Sequence, residues 1–274
     1  MNNPLLTAEF RQMARGFNFL LSSKGEANKA LIILPPFADE MNKSRHIICK
    51  FIGLATRRGY SCYLMDHFGT GDSEGDLNDA DLALWQADLV LLIEQLAAAG
   101  YKQVSFLAIR FGALQLFDLL NKNSIALPVE QVLLWQPFFE LKKFWQQFFR
   151  IKIAEQMALG EKLSQQQLEQ QLAEGDVVEI AGYPICQSFY SSTQAGDFQV
   201  PGCLTGGAAK LSWLEISQMA APGANVQKQL NQLQQTSQVN FQLLGEAPFW
   251  NTTELADAED LLRISAGLLE QNHV

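Results

Sequence analysis

Short apolar runs alternate with longer segments of helical periodicity along most of the chain. Continuous apolar runs ended by Pro or Gly are typical of strands buried on both faces, whereas apolar residues three or four positions apart are typical of helices with one buried side. The pattern predicts strands over residues 30–37, 61–66, 104–109, 131–137, 210–217 and 239–245, and helices over residues 40–58, 80–99, 111–120 and 225–235. This alternation predicts an α/β fold with a doubly wound, mostly parallel sheet.

Two segments depart from that alternation. Residues 15–33 can form an antiparallel hairpin, with Gly16 and Gly25 near its bends. Residues 140–174 are rich in Gln, Lys and aromatic side chains, which indicates an inserted pair of helices rather than more sheet. The expected organisation is a core of residues 1–137 and 200–274, interrupted by a small helical cap over residues 138–199.

The composition argues against several classes of function. The 274 residues carry a formal net charge of −9, which argues against binding to nucleic acid or to an anionic membrane, because both depend on basic surface. No apolar run reaches the roughly 18 residues of a membrane span, and the N-terminus does not have the basic-then-apolar pattern of a secretory signal. We therefore expect no transmembrane segment and a cytoplasmic protein.

The cysteines and histidines show no metal-binding pattern. The four cysteines form no CxxC pair and no ligand-like cluster with the three histidines, so neither a metal nor a cofactor is expected. Cys49 falls in a predicted helix and Cys62 in a predicted strand, which favours small buried thiols over redox chemistry.

The stretch VSFLAIRFGALQ (residues 104–115) predicts a buried strand, a sharp turn and a helix that begins at once. Hydrolases with a G-x-S-x-G motif present their nucleophilic serine in this setting, because small residues on either side allow the strand and the helix to approach closely. Ala108 and Gly112 supply the small residues here, but Arg110 stands in the serine position.

Two further blocks follow predicted strands. DHFGTGDSEGD (residues 66–76) matches the glycine-rich loop of these folds, in which Asp66 and Ser73 are expected to be structural rather than catalytic. LPPFADEMNKSR (residues 34–45) lies where hydrolases carry the oxyanion-hole loop, and it leads directly into a helix N-terminus.

The blocks PPFADEMNKSR, DHFGTGDSEGD, LAIRFGAL and GEAPFW occur in this order and together resemble the second of two hydrolase-like families associated with the exosortase A system. That system is found in bacteria that sort proteins to the surface and make exopolysaccharide. The resemblance spans about residues 15–255, and the arginine in the elbow is part of it. It implies an α/β-hydrolase fold and a gene neighbourhood of exopolysaccharide and protein sorting, without a known substrate.

The other positions of a Ser-His-Asp triad can be sought in the sequence. The histidine normally follows the last strand, where GEAPFW offers Glu246 and no histidine. The acid normally follows the preceding strand, which offers Glu215 at its end. His46 and His67 are either catalytic or surface and cap residues, and His273 lies in the terminal tail.

Arg110 cannot act as a nucleophile, because its guanidinium stays protonated and offers no lone pair. Beside the N–H groups of a helix N-terminus it can instead form a strong anion site. A buried guanidinium needs a partner, which is either an internal carboxylate, with Glu246 as the first candidate and Glu215 as the second, or the carboxylate or phosphate of a ligand. The two are compatible if the ligand displaces Glu246.

The sequence predicts contacts with a small-molecule ligand, or with one linked to lipid or glycan. The expected contact residues are Arg110, Phe111, Pro36, Phe37, Glu246 and Trp250. The aromatic residues of the predicted cap either line an apolar cavity or pack as ordinary core; they are Phe138, Phe139, Phe144, Trp145, Phe148 and Phe149.

Three functions follow as hypotheses. The first is a hydrolase-fold protein without the triad, which binds an acyl, glycosyl or other anionic intermediate at Arg110 and serves exosortase- or exopolysaccharide-linked surface assembly, as the resemblance implies. The second is a working esterase or thioesterase in which Glu246 or Asp39 activates water. The third is an interaction protein whose cap binds a partner and whose pocket is filled.

Overall fold

The computed structural model describes residues 5–26, 28–252 and 256–270. The strands are β1 (Leu6–Gln12), β2 (Phe17–Ser23), β3 (Lys29–Leu34), β4 (Tyr60–Met65), β5 (Gln103–Ile109), β6 (Val129–Trp135), β7 (Val178–Ile180), β8 (Tyr183–Ile185), β9 (Lys210–Ile216) and β10 (Val239–Leu244). The helices are α1 (Asp39–Arg57), α2 (Leu82–Ala98), α3 (Phe111–Lys122), α4 (Leu141–Ala158), α5 (Gln165–Glu174), α6 (Gln187–Gln194), α7 (Ala224–Gln234) and α8 (Glu259–Glu270). Short 3₁₀ segments cover Leu77–Asp79, Gly202–Gly207 and Phe249–Asn251.

Eight of the described strands form one sheet in the order β1-β2-β4-β3-β5-β6-β9-β10. From β4 onward in that order each strand runs parallel to its neighbour, and the β1–β2 and β2–β4 pairs of this sheet are antiparallel. The doubly wound, mostly parallel sheet predicted from the sequence is therefore confirmed, with strand ends shifted by up to three residues.

The N-terminal hairpin differs from the predicted one. β1 pairs antiparallel with β2, and Gly16 lies at the bend between them, where the Met13 N–H donates to the Gly16 carbonyl at 2.8 Å. Gly25 does not form a second bend of this hairpin, because β4 lies between β2 and β3 in the sheet. The Gly25 N–H instead donates to the Ser61 hydroxyl of β4 at 3.1 Å, on the way from β2 to β3.

Helices cover both faces of the sheet. Apolar side chains of α1 and α8, among them Phe51 and Leu261, pack together on one face. Leu92 of α2, Leu116 of α3 and Leu230 of α7 belong to the cluster on the other face. Within the described ranges, none of the helices is both long and apolar enough to cross a membrane.

The connection between β6 and β9 has its own apolar cluster. It contains α4 and α5, the inserted pair of helices that the sequence predicts, together with β7, β8 and α6, which the sequence pattern does not predict. Trp145 of α4, Leu172 of α5 and Phe189 of α6 pack with Phe37 from the loop after β3 and with Trp85 of α2. This connection therefore covers the loop that follows β3. Its description as a cap over residues 138–199 stays a prediction.

Candidate functional site

Arg110 forms the turn between β5 and α3 in a strained backbone conformation. Its φ of 53° and ψ of −115° lie in a region that residues other than glycine rarely adopt. The turn is fixed on both sides, because the Arg110 N–H donates to the Trp135 carbonyl at 3.1 Å and the Arg110 carbonyl accepts from the Phe138 N–H at 3.2 Å. This turn presents the Arg110 side chain at the carboxyl end of β5.

Gly112 allows α3 to approach β3 closely. A Cβ atom at this position would lie 2.8 Å from the carbonyl carbon of Leu34 and 3.0 Å from the carbonyl oxygen of Pro35. Both distances are shorter than van der Waals contact, so the small residue after the elbow is a steric requirement of this turn.

The guanidinium of Arg110 pairs with Glu40 in the first turn of α1. Nη2 donates to Glu40 Oε1 at 2.8 Å, and Nε donates to Oε2 at 3.1 Å. Nη2 also donates to Oε1 of Gln147 in α4 at 3.0 Å. The Arg110 side chain is only 8% exposed. The prediction that Glu246 or Glu215 is its partner is therefore wrong.

The strand order explains why Glu40 is the partner, because β3 lies beside β5 and the start of α1 therefore reaches the elbow. The loop after β10 also reaches Arg110, through Trp250, but Glu246 at the start of that loop does not. Glu246 accepts instead from the N–H groups of Asp260 at 2.8 Å and Leu261 at 3.2 Å. It therefore stabilises the N-terminus of α8, where a carboxylate is favoured by unpaired N–H groups and by the helix dipole.

Glu215 is buried at the end of β9 and has other partners. Its Oε1 accepts from Gln136 Nε2 and its Oε2 accepts from Trp213 Nε1, each at 2.9 Å. Burial raises the pKa of Glu215, while these two hydrogen bonds and the charge of Arg110 partly offset the rise. The charges of Glu215 and Arg110 thus attract each other at a distance, and no ion pair joins the two side chains in the described structure.

Two aromatic rings contact the guanidinium. Cζ of Arg110 lies 4.2 Å from the ring centroid of Phe138 and 4.8 Å from that of Trp250, distances at which cation–π attraction operates. Nη1 differs from Nε and Nη2, because it has no hydrogen-bond partner within the described part of the chain. The result is a nearly buried cation with one amino group left unpaired.

A cavity of about 570 Å³ lies beside Arg110. We call it the aromatic cavity, because its lining includes Phe37, Phe138, Phe144, Phe148 and Trp250. Of the ligand contacts predicted from the sequence, Arg110, Phe37 and Trp250 line this cavity. Pro36 and Phe111 line a neighbouring cavity of about 40 Å³, and Glu246 lines neither.

The charged lining of the aromatic cavity is more basic than the protein as a whole. Arg110, Lys43 and Arg150 line it together with Asp39 and Glu40, in a chain whose formal net charge is −9. Lys43 pairs with Asp39 at 2.7 Å, as Arg110 does with Glu40. A local excess of positive charge in a concave site attracts anions.

Backbone strain is concentrated around the same cavity. Five described residues other than glycine have a positive φ. Arg110, Gln136 and Ala181 among them line the aromatic cavity, and Ala38 is adjacent in sequence to two lining residues. Such conformations cost about 1–3 kcal/mol each and are typical of ligand-binding and active sites.

The fold is shared with solved structures of low sequence identity. Est1E from Butyrivibrio proteoclasticus with ferulic acid bound has a TM-score of 0.65 at 11% identity, over 96% of this chain and 97% of that chain. An alpha-beta serine hydrolase homologue from Coxiella burnetii has a TM-score of 0.57 at 14% identity, over 98% of this chain and 97% of that chain. A loop variant of a haloalkane dehalogenase from Bradyrhizobium elkanii has a TM-score of 0.59 at 14% identity, over 97% of each chain.

The chain has the α/β-hydrolase fold. No protein-family profile matches the sequence, and no curated protein matches it either. At 11% to 14% identity the likeness to these structures establishes the fold and not the chemistry. In the α/β-hydrolase fold the strand-to-helix elbow carries the nucleophile, and Arg110 occupies that position here.

The glycine-rich loop of this α/β-hydrolase fold is structural, as expected. Asp66 accepts from Arg45 Nη2 at 2.7 Å, and the Ser73 hydroxyl donates to the Asp66 carbonyl at 2.6 Å. Ser73 also accepts from the Phe19 N–H of β2 at 2.8 Å. Gly71 has a φ of 56°, and a Cβ there would overlap the Asp66 carboxylate. The loop therefore joins β4 to the N-terminal hairpin.

The aromatic residues after β6 serve both of the roles that the sequence left open. Phe138, Phe144 and Phe148 line the aromatic cavity. Trp145 and Phe149 are buried behind them in the apolar cluster. Phe139 packs edge-on against Trp213 of β9, with ring centroids 4.8 Å apart.

Two of the four cysteines, Cys49 and Cys62, lie in the elements predicted for them. Cys49 lies half-buried in α1 and Cys62 is buried in β4. Burial raises the pKa of the Cys62 thiol to about 12, which suppresses the reactive thiolate.

Neither of the described histidines is hydrogen-bonded to Arg110 or lines the aromatic cavity. His67 is buried, with its Nε2 atom 3.1 Å from Gln115 Oε1 and its ring stacked on Trp85 at 4.5 Å. A surface position for His67 is therefore wrong, because α2 and α3 cover the loop after β4 on this side. His46 Nε2 lies 2.7 Å from the carbonyl oxygen of Ala256. His273 lies outside the described residues.

The buried His67 predicts a specific pH dependence of stability. Burial lowers its pKa from 6.5 to about 4, and the hydrogen bond with Gln115 opposes the shift. Between these two values the unfolded chain binds a proton that the folded chain does not, so the free energy of unfolding should fall as the pH drops from about 6.5 towards 4.

Urea unfolding of the wild type and of His67→Gln at a series of pH values tests this prediction. We expect the difference in stability between the two proteins to change across this window and to be constant above pH 7. Parallel pH profiles for the two proteins would contradict the assignment of the effect to His67.

Proposed function

We propose that this protein uses its α/β-hydrolase fold to bind an anionic ligand at Arg110 and does not use a Ser-His-Asp triad. One observation supports this most directly. The Arg110 side chain is 8% exposed, lines a cavity of about 570 Å³ and keeps Nη1 unpaired among the described residues. A carboxylate or phosphate that completes its hydrogen bonds would be strongly favoured at such a cation.

The rest of the lining favours a ligand with an apolar part. Phe37, Phe144, Phe148 and Ile151 line the aromatic cavity together with Trp250. An acyl or alkyl chain gains about 25 cal/mol for each Å² of apolar surface that it buries against such rings. Acyl derivatives that carry an anion therefore suit the site better than free inorganic anions do.

The proposal that the triad is missing rests on the nucleophile and base positions. Arg110 stands where the nucleophile is expected, and the loop after β10 (residues 245–250) contains no histidine. His67 is engaged with Gln115 and Trp85, and His46 with the Ala256 carbonyl. Neither histidine lines the aromatic cavity.

We further propose that residues 138–199 act as a cap over a core of residues 1–137 and 200–274. Gln147 of α4 supports this, because its Oε1 atom, on the β6–β9 connection, accepts a hydrogen bond from the elbow arginine. The role in exosortase- or exopolysaccharide-linked surface assembly, implied by the sequence blocks, is part of the same proposal. An interaction protein with a filled pocket fits less well, because side chains leave the aromatic cavity of about 570 Å³ unfilled.

Binding of matched amphiphiles tests the proposal. Octyl methyl phosphate carries an alkyl chain and one negative charge, and we expect isothermal titration calorimetry to detect its binding. Arg110→Gln should weaken that binding at least about ten-fold, because it removes the cation at the cavity. Octyltrimethylammonium, with the same chain and the opposite charge, should not bind.

Arg263→Gln is the matched control, because it removes an exposed cation of α8 that lies outside the aromatic cavity. It should bind octyl methyl phosphate as the wild type does. Unchanged affinity in Arg110→Gln, or equal binding of the cationic amphiphile, would overturn the proposal.

A working esterase is the second candidate, and Asp39 is the observation that favours it. Its carboxylate lines the aromatic cavity and could activate water, whereas Glu246, the other base considered, lies outside. We expect no turnover of p-nitrophenyl octanoate. Turnover that is lost in Asp39→Asn and kept in Glu155→Gln, on the exposed side of α4, would replace the binding proposal by a hydrolytic one.

A further inference from the structure

Arg110 lies at the junction of two cavities. A second cavity, of about 210 Å³, is lined by Arg110, Gln136, Phe138 and Gln147, and the same four residues also line the aromatic cavity. The two cavities therefore adjoin at the guanidinium. We call the second one the polar cavity, because its other lining residues include Glu140, Lys143, Glu215, Asn225 and Gln229.

The polar cavity offers both hydrogen-bond donors and acceptors. Lys143 Nζ donates to Glu140 Oε1 and to Asn225 Oδ1, and Gln229 Nε2 donates to Glu140 Oε1. This leaves two acceptors, Glu140 Oε2 and Gln229 Oε1, without a partner among the described residues. Two donors, Asn225 Nδ2 and Gln147 Nε2, are likewise unpaired within the described structure.

This mixture of groups selects the chemistry of the occupant. An anion would require donors alone, and a cation would require acceptors alone, whereas a hydroxyl group both donates and accepts. Charged side chains of both signs line the cavity, Lys143 and Arg110 together with Glu140 and Glu215. A neutral group with several hydroxyls fits this lining.

Part of the wall of the polar cavity is held in place before any ligand binds. Gln136 donates to Glu215 and accepts from the Ile216 N–H at 2.6 Å, so both ends of its side-chain amide are held. Trp213, packed against Phe139, supplies an apolar wall. A preformed site loses less conformational entropy on binding than a mobile one does.

We propose that the polar cavity binds a hydroxylated head group, such as a polyol or a sugar, of the same ligand whose anion lies at Arg110. The ligand must then carry an anion between two substituents, since the aromatic and polar cavities adjoin at this cation. A carboxylate is a terminal group, whereas a phosphodiester keeps its charge while it joins an alkyl or acyl chain to a head group. This inference rests on the proposed function, because it assumes that Arg110 holds the anion.

Two phosphodiesters of equal charge test the inference by calorimetry. Octyl methyl phosphate carries the chain and the anion, and octyl inositol phosphate adds a head group with several hydroxyls. We expect the inositol diester to bind about ten-fold more tightly, because each new neutral hydrogen bond contributes modestly and two or more can form. Asn225→Ala and Gln229→Ala, examined singly, should each remove a few-fold of this gain and leave the affinity for the methyl diester unchanged.

Gln232→Ala is the matched control, because Gln232 lies on α7 less than one turn from Gln229 and does not line the polar cavity. It should keep the full gain. If the methyl diester binds through Arg110 and the inositol group adds nothing, the inference fails and the proposed function stands. If neither diester binds, both fail together. A gain that survives Asn225→Ala and Gln229→Ala would also overturn the inference.

Discussion

Replacing Gly112 with alanine is expected to lower the free energy of unfolding by about 3 kcal/mol or more. The new Cβ would overlap the carbonyl oxygen of Leu34 and would lie 2.8 Å from its carbonyl carbon. β3 cannot easily move away, because it is paired with β4 on one side and with β5 on the other. The strain therefore has to be relieved by displacing the start of α3, and with it the elbow that presents Arg110.

Thermal unfolding of Gly112→Ala should show a midpoint roughly 6–10 °C below that of the wild type. Gly267→Ala provides a control with the opposite sign. Gly267 lies in α8, and a Cβ there meets nothing within 4 Å. Alanine should therefore raise stability by about 0.5–1 kcal/mol through helix propensity alone. A Gly112→Ala protein as stable as the wild type would show that the close approach of α3 to β3 is not required.

The central sheet could be predicted from the sequence because its strands are buried on both faces. The run over residues 104–109 corresponds to β5 within one residue, and the helix after it begins at Phe111 as expected. The three-residue strands β7 and β8 could not be predicted in the same way. Such strands present too few positions for a periodic pattern, and their pairing depends on packing against α4 and α5.

The position of Arg110 could be predicted, but its partner could not. The elbow follows from a local pattern, a buried strand next to small residues and a helix. Glu40 and Arg110 are 70 residues apart, and they meet because β3 and β5 are neighbours in the sheet. The loop after β10 does reach the elbow, as expected, but through Trp250 and not through Glu246.

The burial of His67 could not be predicted from the sequence either. A glycine-rich loop after a strand favours an exposed position, and the residues next to His67 in the sequence do not indicate that it is buried. Its burial comes from Trp85, which stacks on the ring, and from Gln115, which contacts its Nε2 atom. Both residues belong to helices whose packing against the loop is set by the tertiary fold.

Glu40→Gln is expected to change stability and ligand affinity in opposite directions. Without a ligand, the variant leaves the nearly buried guanidinium of Arg110 with weaker partners, because a neutral amide replaces a carboxylate held at 2.8 Å and 3.1 Å. We expect a loss of about 2 kcal/mol in the free energy of unfolding, less than for a fully buried ion pair because the Glu40 side chain is 28% exposed.

The same substitution should increase the affinity for an anion. Glu40 lines the aromatic cavity and neutralises the cation to which the ligand is proposed to bind. Removing its charge removes the competitor for Arg110 and the repulsion between two anions a few ångströms apart. We therefore expect Glu40→Gln to bind octyl methyl phosphate about ten-fold more tightly than the wild type does.

Unfolding midpoints with and without octyl methyl phosphate measure both effects in one experiment. The variant should melt roughly 4–6 °C below the wild type without ligand, and the ligand should raise its midpoint by more than it raises that of the wild type. Glu155→Gln removes a carboxylate that pairs with Lys152 at the exposed surface of α4, and it should change neither quantity by a measurable amount. Weaker anion binding by Glu40→Gln would mean that the Glu40 carboxylate positions Arg110 for the ligand and does not compete with the ligand's anion.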